Sequence, residues 1–304
     1  MYCCRTCAST ALEDFGSSSP SLYNINNSPD FSRIVRCSVC NLVQRRAIPS
    51  DSELLGMYRS ETADILEYEA THNAAWQAAL KFIDRSSSSR LHLLDIGCHT
   101  GKFLSLTPSY VKRYGIEADG APSRYARLNN SVQIIAERVE SASEEFNHVF
   151  DMVLMFDVLE HLANPAEGLL SALKLVKPGG RLIFSTADAD TWPWSLLGAQ
   201  HWYLQTGQHL SVLSRSYVRY LERRHGLTVE RIMRIPHTHS GLRVRFRQFL
   251  ELLHWANLNR PLPWRLLSRL LQEVPGFRAI RHRQTVPWAM SLQDHMFVAI
   301  RSAK

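Results

Sequence analysis

No run of about 18 uninterrupted apolar residues occurs in the 304-residue sequence, and its opening, MYCCRTCAST, lacks the charged-then-apolar layout of a secretion signal. Neither a membrane span nor export is indicated, and a cytoplasmic address is the expectation. No internal repeat is apparent. Cysteine is nearly absent beyond residue 40, since five of the six stand within the first 40 residues. Paired Cys-x-x-Cys in an intracellular chain points to metal more readily than to disulfides. Acidic residues are scarce near the end: from Leu210 to Lys304 there are 17 Lys/Arg against 5 Asp/Glu, leaving 18 against 23 before it. Such a basic third is either a solvated face or a surface for phosphate-bearing substrates, nucleic acid or an anionic membrane.

What is present excludes disorder, because 45% of the residues are apolar and 21% charged. The length suits one catalytic core with additions. Three stretches divide it: residues 1–48 with the cysteines, 49–89 with helical patterning at Ser52–Tyr58 and Ile65–Phe82, and 90–304 with short apolar runs alternating with helical ones. Between the cysteine pairs, Gly16 to Asp30 reads as loop. The third stretch predicts strands at Leu91–Ile96, Arg113–Glu117, Val132–Ala136, Phe150–Phe156, Arg181–Thr186, Leu227–Ile235 and His295–Arg301. That rhythm implies an α/β fold, a seven-stranded doubly wound, Rossmann-like sheet, with a helical insertion at 236–293 before the last strand.

The insertion carries two apolar stripes, Leu242, Phe246, Phe249, Leu250, Leu253 and Leu262, Leu266, Leu267, Leu270, Leu271. Interleaved are Arg243, Arg245, Arg247, Arg265 and Arg269. Two readings stay open for 242–274: helices packed on the sheet with a basic outer face, or a surface for peripheral membrane contact.

In Leu-Leu-Asp95-Ile-Gly97-Cys98-His99-Thr100-Gly101-Lys102, a strand runs into a turn and a helix, and Gly97 and Gly101 let the backbone approach a ligand. Glu117 ends the next strand, where a carboxylate can accept both hydroxyls of a ribose, with Ala118 beside it. Then come Phe150-Asp-Met-Val-Leu-Met-Phe156-Asp157-Val-Leu-Glu160-His161 and Lys177-Pro-Gly-Gly180. These four ordered blocks resemble the class I S-adenosylmethionine-dependent methyltransferases, closely over Arg90 to Thr186.

The resemblance implies S-adenosylmethionine as cofactor, with Asp95, Gly97, Cys98 and Gly101 around its methionine part, Glu117 and Ala118 at the ribose, and Phe156 and Asp157 along its edge. It places an adenine contact near Glu137 or Arg138. His99 stands where that family usually has a glycine, and its side chain either turns away or reaches into the site. Cys98 reads otherwise as packing.

Cys4-x-x-Cys7 and Cys37-x-x-Cys40 have the spacing of a four-thiolate zinc site. The arrangement resembles the zinc-binding N-terminal domain of some sugar C-methyltransferases, which implies a small zinc knuckle domain whose metal is structural. After the fifth strand, Trp192-Pro-Trp194, His201-Trp202-Tyr203 and Gln208-His209-Leu-Ser211 form a stretch rich in aromatics and histidine. It is similar to the Glu-His-Leu-Ser block of those enzymes, with Gln208 replacing the acid. His209 is the candidate general base, unless it merely caps the helix near Ser214, and His161 is a second candidate for the pocket.

The expectation is methyl transfer to a small molecule or glycan. Alternatives are an RNA methyltransferase using the knuckles and basic face, which the absence of an Asn/Asp-Pro-Pro-Tyr block disfavours, and a non-catalytic cofactor-fold binding protein.

Overall fold

The computed structural model describes residues 2–18, 29–50, 52–54, 56, 73–84, 90–118, 120–258, 261–273 and 285–303. Of the helical expectation over Ile65–Phe82, residues 65–72 lie outside the described residues and the rest forms a helix from Ala74; of Ser52–Tyr58, residues 55, 57 and 58 lie outside them. In chain order the elements are β1 (Leu12–Ser17), α1 (Pro29–Ser32), β2 (Arg33–Cys37), β3 (Val43–Arg45), α2 (Ala74–Asp84), β4 (Leu91–Ile96), α3 (Lys102–Ser105), β5 (Val111–Ile116), α4 (Ala121–Asn129), β6 (Gln133–Ala136), β7 (Phe150–Phe156), α5 (Pro165–Leu175), β8 (Val176–Ala187), α6 (Trp192–Leu197), β9 (Ser211–Val212), α7 (Arg215–His225), β10 (Thr228–Ile235), α8 (Leu242–Asn257), α9 (Trp264–Gln272) and β11 (His295–Arg301).

The expected seven-stranded sheet forms in the order β10-β11-β8-β7-β4-β5-β6. Its strands β4 to β8 run parallel, and β11 enters antiparallel between β8 and β10. Consecutive strand residues face opposite layers. Leu94, Val153, Phe184 and Val298 pack on one side with Tyr217, Val218 and Leu221 of α7. Leu93, Leu154, Ile183 and Phe297 pack on the other with Ala75, Ala79 and Ile83 of α2. The helix ends obey local rules: Asn164 caps α5 by accepting from Ala166 and Glu167 with Pro165 at its first position, while Ser214 caps α7 and Gly226 ends it at φ 64°.

The N-terminal segment holds more regular structure than the loop reading of Gly16 to Asp30 suggests. Strand β1 extends through Ser17 and pairs antiparallel with β2, which pairs with β3. The fourth strand of this small sheet is β9, with Val212 opposite Val43 and Ser211 opposite Gln44. Cys4, Cys37, Cys40 and Leu42 share one cluster with the α7 face of the large sheet.

The insertion departs from the packing expectation. Helix α8 buries Leu252, Glu251, His254 and Asn257, touching α6 and α9. Leu242, Phe246, Leu262, Trp264, Leu266 and Leu270 remain exposed, Leu242 at 81% and Leu270 at 67%. Those side chains do not seat on the sheet. No helix among the described residues is long and apolar enough to cross a membrane.

Candidate active site

The carboxyl ends of β4, β5 and β7 open on one cavity of about 540 Å³, inside the range of roughly 300–1,000 Å³ usual for small-molecule sites. Beyond β4 the chain turns through Gly97 at φ 72°, and Gly97 and Cys98 donate their N–H groups to the carbonyl of Ile116. A Cβ on Gly97 would meet Val158 Cγ2 at 2.6 Å, so the turn lies against the loop after β7 with no space for a side chain. His99 takes the left-handed conformation at φ 47° that the glycine of related turns supplies. Its N–H donates to Glu117 Oε2 at 2.6 Å, and Ala118 N–H donates to Oε1 at 3.1 Å. Two backbone donors thus hold the Glu117 carboxylate at the cavity wall.

Asp95, Gly97, Cys98, Glu117, Ala118, Phe156, Asp157, His161 and His209 all line this cavity, as do Glu137 and Arg138. Gly101 is not among its lining residues; it caps α3 at φ 72°, and a Cβ there would meet Val132 Cγ2 at 2.7 Å. His99 is at the wall, its Nε2 buried and its pKa lowered to about 4 by burial. Burial, with the Glu117 charge second, pushes the Asp95 carboxyl up.

Across the cavity lies a chamber of aromatic rings and histidines. Trp202, Tyr203, Thr206, Gln208, His209, His237, Trp288 and Met290 form it. His209 Nδ1 lies 2.6 Å from the carbonyl oxygen of Tyr203. A carbonyl only accepts, so Nδ1 carries the proton and Nε2 keeps the lone pair. The cap of α7 is Ser214 itself, not His209. Burial, and then the neighbouring His161 with ring centroids 4.8 Å away, hold His209 well below the usual imidazole range. His161 is likewise lowered to about 4 by burial.

Glu160 is completely buried, accepts from Thr186 Oγ1 at 2.9 Å and is paired with the Tyr203 hydroxyl. Burial and the Asp157 charge raise its pKa to about 8. Ligand atoms of Glu160, His161 and His209 lie within 4.8 Å of one another.

The loop bearing His209 is gripped from the N-terminal sheet. Arg45, fully buried, donates to the carbonyls of His209 (2.8 Å), Leu204 (3.1 Å), Thr206 (3.0 Å) and Phe31 (3.1 Å) and to Ser18 Oγ (2.8 Å). Arg5 adds a bond to the Leu210 carbonyl at 2.7 Å. Near these arginines Cys4, Cys7, Cys37 and Cys40 gather their sulfurs within 4.8 Å. The Cys4–Cys40 and Cys7–Cys37 separations are 3.4 and 3.5 Å.

Sequence reasoning missed Asn73, Trp76, His237, Trp288 and Met290 at the cavity, and His295 behind it. Asn73 and Thr238 form an isolated bridge, and Thr238 N–H donates to the carbonyl of Met290. A histidine just past the predicted strand Leu227–Ile235 was the available signal for His237, because ligands bind at strand ends.

Comparison with known proteins agrees with this geometry. A family model described as a methyltransferase domain matches residues 67–232, more than half of the chain. The chain belongs to that family, and its sheet and glycine turn are those of the class I S-adenosylmethionine-dependent methyltransferases. The ubiquinone biosynthesis O-methyltransferase of Pectobacterium atrosepticum is 30% identical over 117 residues, which is 36% of this chain and 48% of the relative. That of Serratia proteamaculans is 28% identical over 161 residues, 45% of this chain and 67% of the relative. The matched part thus spans about half to two thirds of those relatives. A chain in the solved complex of the Haloferax volcanii Trm112 methyltransferase activator with a methyltransferase superposes at TM-score 0.50 and 12% identity, covering 76% of this chain and 91% of that one. At that identity the likeness is one of fold.

Proposed function

We propose that the chain methylates a hydroxyl of a small ring-bearing molecule, aromatic or sugar, with S-adenosylmethionine as donor. The observation that carries this reading is one continuous cavity joining the Gly97–Glu117 cradle to the chamber of Trp202, Tyr203, His209 and Trp288. Aromatic faces suit either a phenolic ring or the C–H face of a sugar. The relatives named for ubiquinone biosynthesis favour a small-molecule acceptor over RNA.

The exposed backbone at Gly97 and the Glu117 carboxylate fit the methionine and ribose parts of the cofactor, which when bound supplies an electrophilic methyl group. Glu117 accepts the ribose hydroxyls, Phe156 and Asp157 bound the other edge, and Trp202 and Trp288 orient the acceptor. His209 would hold Nε2 towards the acceptor hydroxyl and take its proton when the methyl group is transferred. Burial keeps His209 neutral near pH 7, as a base requires. Calorimetry with S-adenosylmethionine, followed by labelled-methyl assays on phenolic and sugar-nucleotide panels, tests the reading. Absence of cofactor binding by folded protein overturns it.

Zinc belongs to the same proposal. Four thiolates at about 2.3 Å from a tetrahedral ion lie roughly 3.7 Å apart, close to the sulfur separations in the knuckle. With four ligands the ion has no open position, and its part is structural.

The exposed stripe of α8 and α9, interleaved with Arg243, Arg245, Arg247, Arg265 and Arg269, is the surface for an anionic lipid interface in this proposal. Exposed leucine and tryptophan favour lipid over RNA as its partner. Flotation with vesicles containing phosphatidylglycerol should retain the protein and Leu266→Glu/Leu270→Glu should release it. Equal behaviour of the two proteins, or binding to RNA in place of vesicles, overturns the assignment.

A further inference from the structure

Three side chains with ligand chemistry meet beside the methyl-donor cradle. Asp157 follows β7, His237 follows β10 and His295 opens β11. Strand register brings them to one sheet edge: Ile235 lies opposite His295, His295 opposite Ala187, and Phe156 opposite Ser185. One ligand atom from each lies within 4.8 Å of the other two. His237 Nε2 is 3.5 Å from Asp157 Oδ2.

Two atoms of this group are buried without a hydrogen-bond partner among the described residues, Asp157 Oδ1 and His295 Nε2. His295 is 1% exposed. Folded interiors rarely leave such atoms unanswered, and an ion is one of the standard explanations. The remaining ring nitrogens point the same way. His295 Nδ1 lies 2.8 Å from Asp294 Oδ1, and His237 Nδ1 lies 3.1 Å from Thr238 Oγ1. Asp294 is itself fixed, accepting from Trp202 Nε1 at 3.2 Å with His201 Nε2 at 3.3 Å. A carboxylate or hydroxyl on one nitrogen sets ring orientation and directs the other nitrogen at a metal.

We propose that Asp157, His237 and His295 form a divalent transition-metal site, separate from the four cysteines. Two imidazoles and one carboxylate select zinc, cobalt or iron over calcium and magnesium, which take oxygen ligands. Donors at about 2.0–2.2 Å from a tetrahedral ion stand roughly 3.4 Å apart. The Asp157–His237 pair has that spacing, and side-chain rotation closes the remainder. Three ligands leave a coordination position, and Asp157 and His237 both line the cavity. The ligand class for that position is an acceptor oxygen, whose proton a metal makes easier to remove before His209 takes it. Glu160, His161 and His209 fit an ion less well, since Thr186 and Tyr203 already engage both Glu160 oxygens. The acceptor's role rests on the methyltransferase reading; the ion's binding does not.

The test is titration of the metal-stripped full chain with cobalt(II), read by absorbance and metal count. Two equivalents are expected, one with intense thiolate charge transfer and one with weaker visible bands lacking it. His237→Ala and His295→Gln should each lower the count to one while the thiolate band, which reports an intact fold, keeps its full intensity. Cys37→Ser should remove the thiolate band and spare the visible bands. A single equivalent in the native protein, or two that survive both histidine substitutions, overturns the site. S-adenosylmethionine binding is measured on the same samples: its absence with both ions retained defeats the methyltransferase reading and leaves the metal site standing.

Discussion

Arg45, in a strand of the cysteine-bearing sheet, donates its Nε–H to the backbone carbonyl oxygen of His209 at 2.8 Å. A residue of the N-terminal segment thereby sets the height and orientation of the candidate base. With its guanidinium fully buried and spread over four carbonyls and one hydroxyl, Arg45 defines the path of residues 204–209.

Arg45→Lys retains charge and loses the fork that reaches several carbonyls at once. Stripping partners from buried carbonyls costs about 1–3 kcal/mol each. Urea unfolding should show a stability loss of at least about 3 kcal/mol. Methyl transfer should fall more than cofactor affinity, because Glu117 and Gly97 lie outside the Arg45 network.

Removal of the zinc proposed for the four cysteines should act in the same direction. A chelator, or Cys37→Ser, is expected to lower the melting temperature by several degrees, about 2–4 °C for each kcal/mol lost in a chain of this size, and to increase amide hydrogen exchange over residues 204–210. Unchanged exchange there would separate the knuckle from the base.

Glu117→Ala removes the acceptor proposed for the ribose and leaves the N–H groups of His99 and Ala118 without their partner. A hydrogen bond to a charged group contributes about 1.5–3 kcal/mol, so calorimetry should find cofactor affinity reduced about ten- to a hundredfold.

Glu160 predicts a pH dependence of stability. Its pKa rises from 4.5 to about 8, through burial first and the Asp157 charge second. Between these values the folded chain keeps a proton that the unfolded chain releases, so this group's stabilisation is fully present below about 4.5 and is lost as pH rises towards 8. The slope reaches at most about 1.4 kcal/mol per pH unit. Glu160→Gln should flatten that component of unfolding free energy measured across the window; an unaltered slope would show that other groups carry it.

The large sheet was legible because short apolar runs such as Leu91–Ile96 and Phe150–Phe156 recur between helical stretches, and Gly97, Glu117 and Asp157 follow strand ends, where local chemistry announces them. The small sheet was not. Strand β1 reads LEDFGS, with no apolar alternation, and β9 has two residues, so both depend on pairing partners far along the chain. The chamber was half legible: Trp202 and His209 sit in a conspicuous cluster, whereas His237 and His295 stand singly and converge through the β10–β11 register. Exposure of Leu242 and Leu270 was likewise unreadable, because an amphipathic stripe names a face without naming what covers it.

The pairing of β3 with β9 also constrains the order of events during synthesis. When the four cysteines leave the ribosome, the strand that completes their sheet has not yet been translated, nor has the loop whose carbonyls engage Arg45. The nascent amino terminus must therefore remain unfinished until most of the catalytic core has emerged, with its thiols accessible to oxidants and to competing metals in the interval.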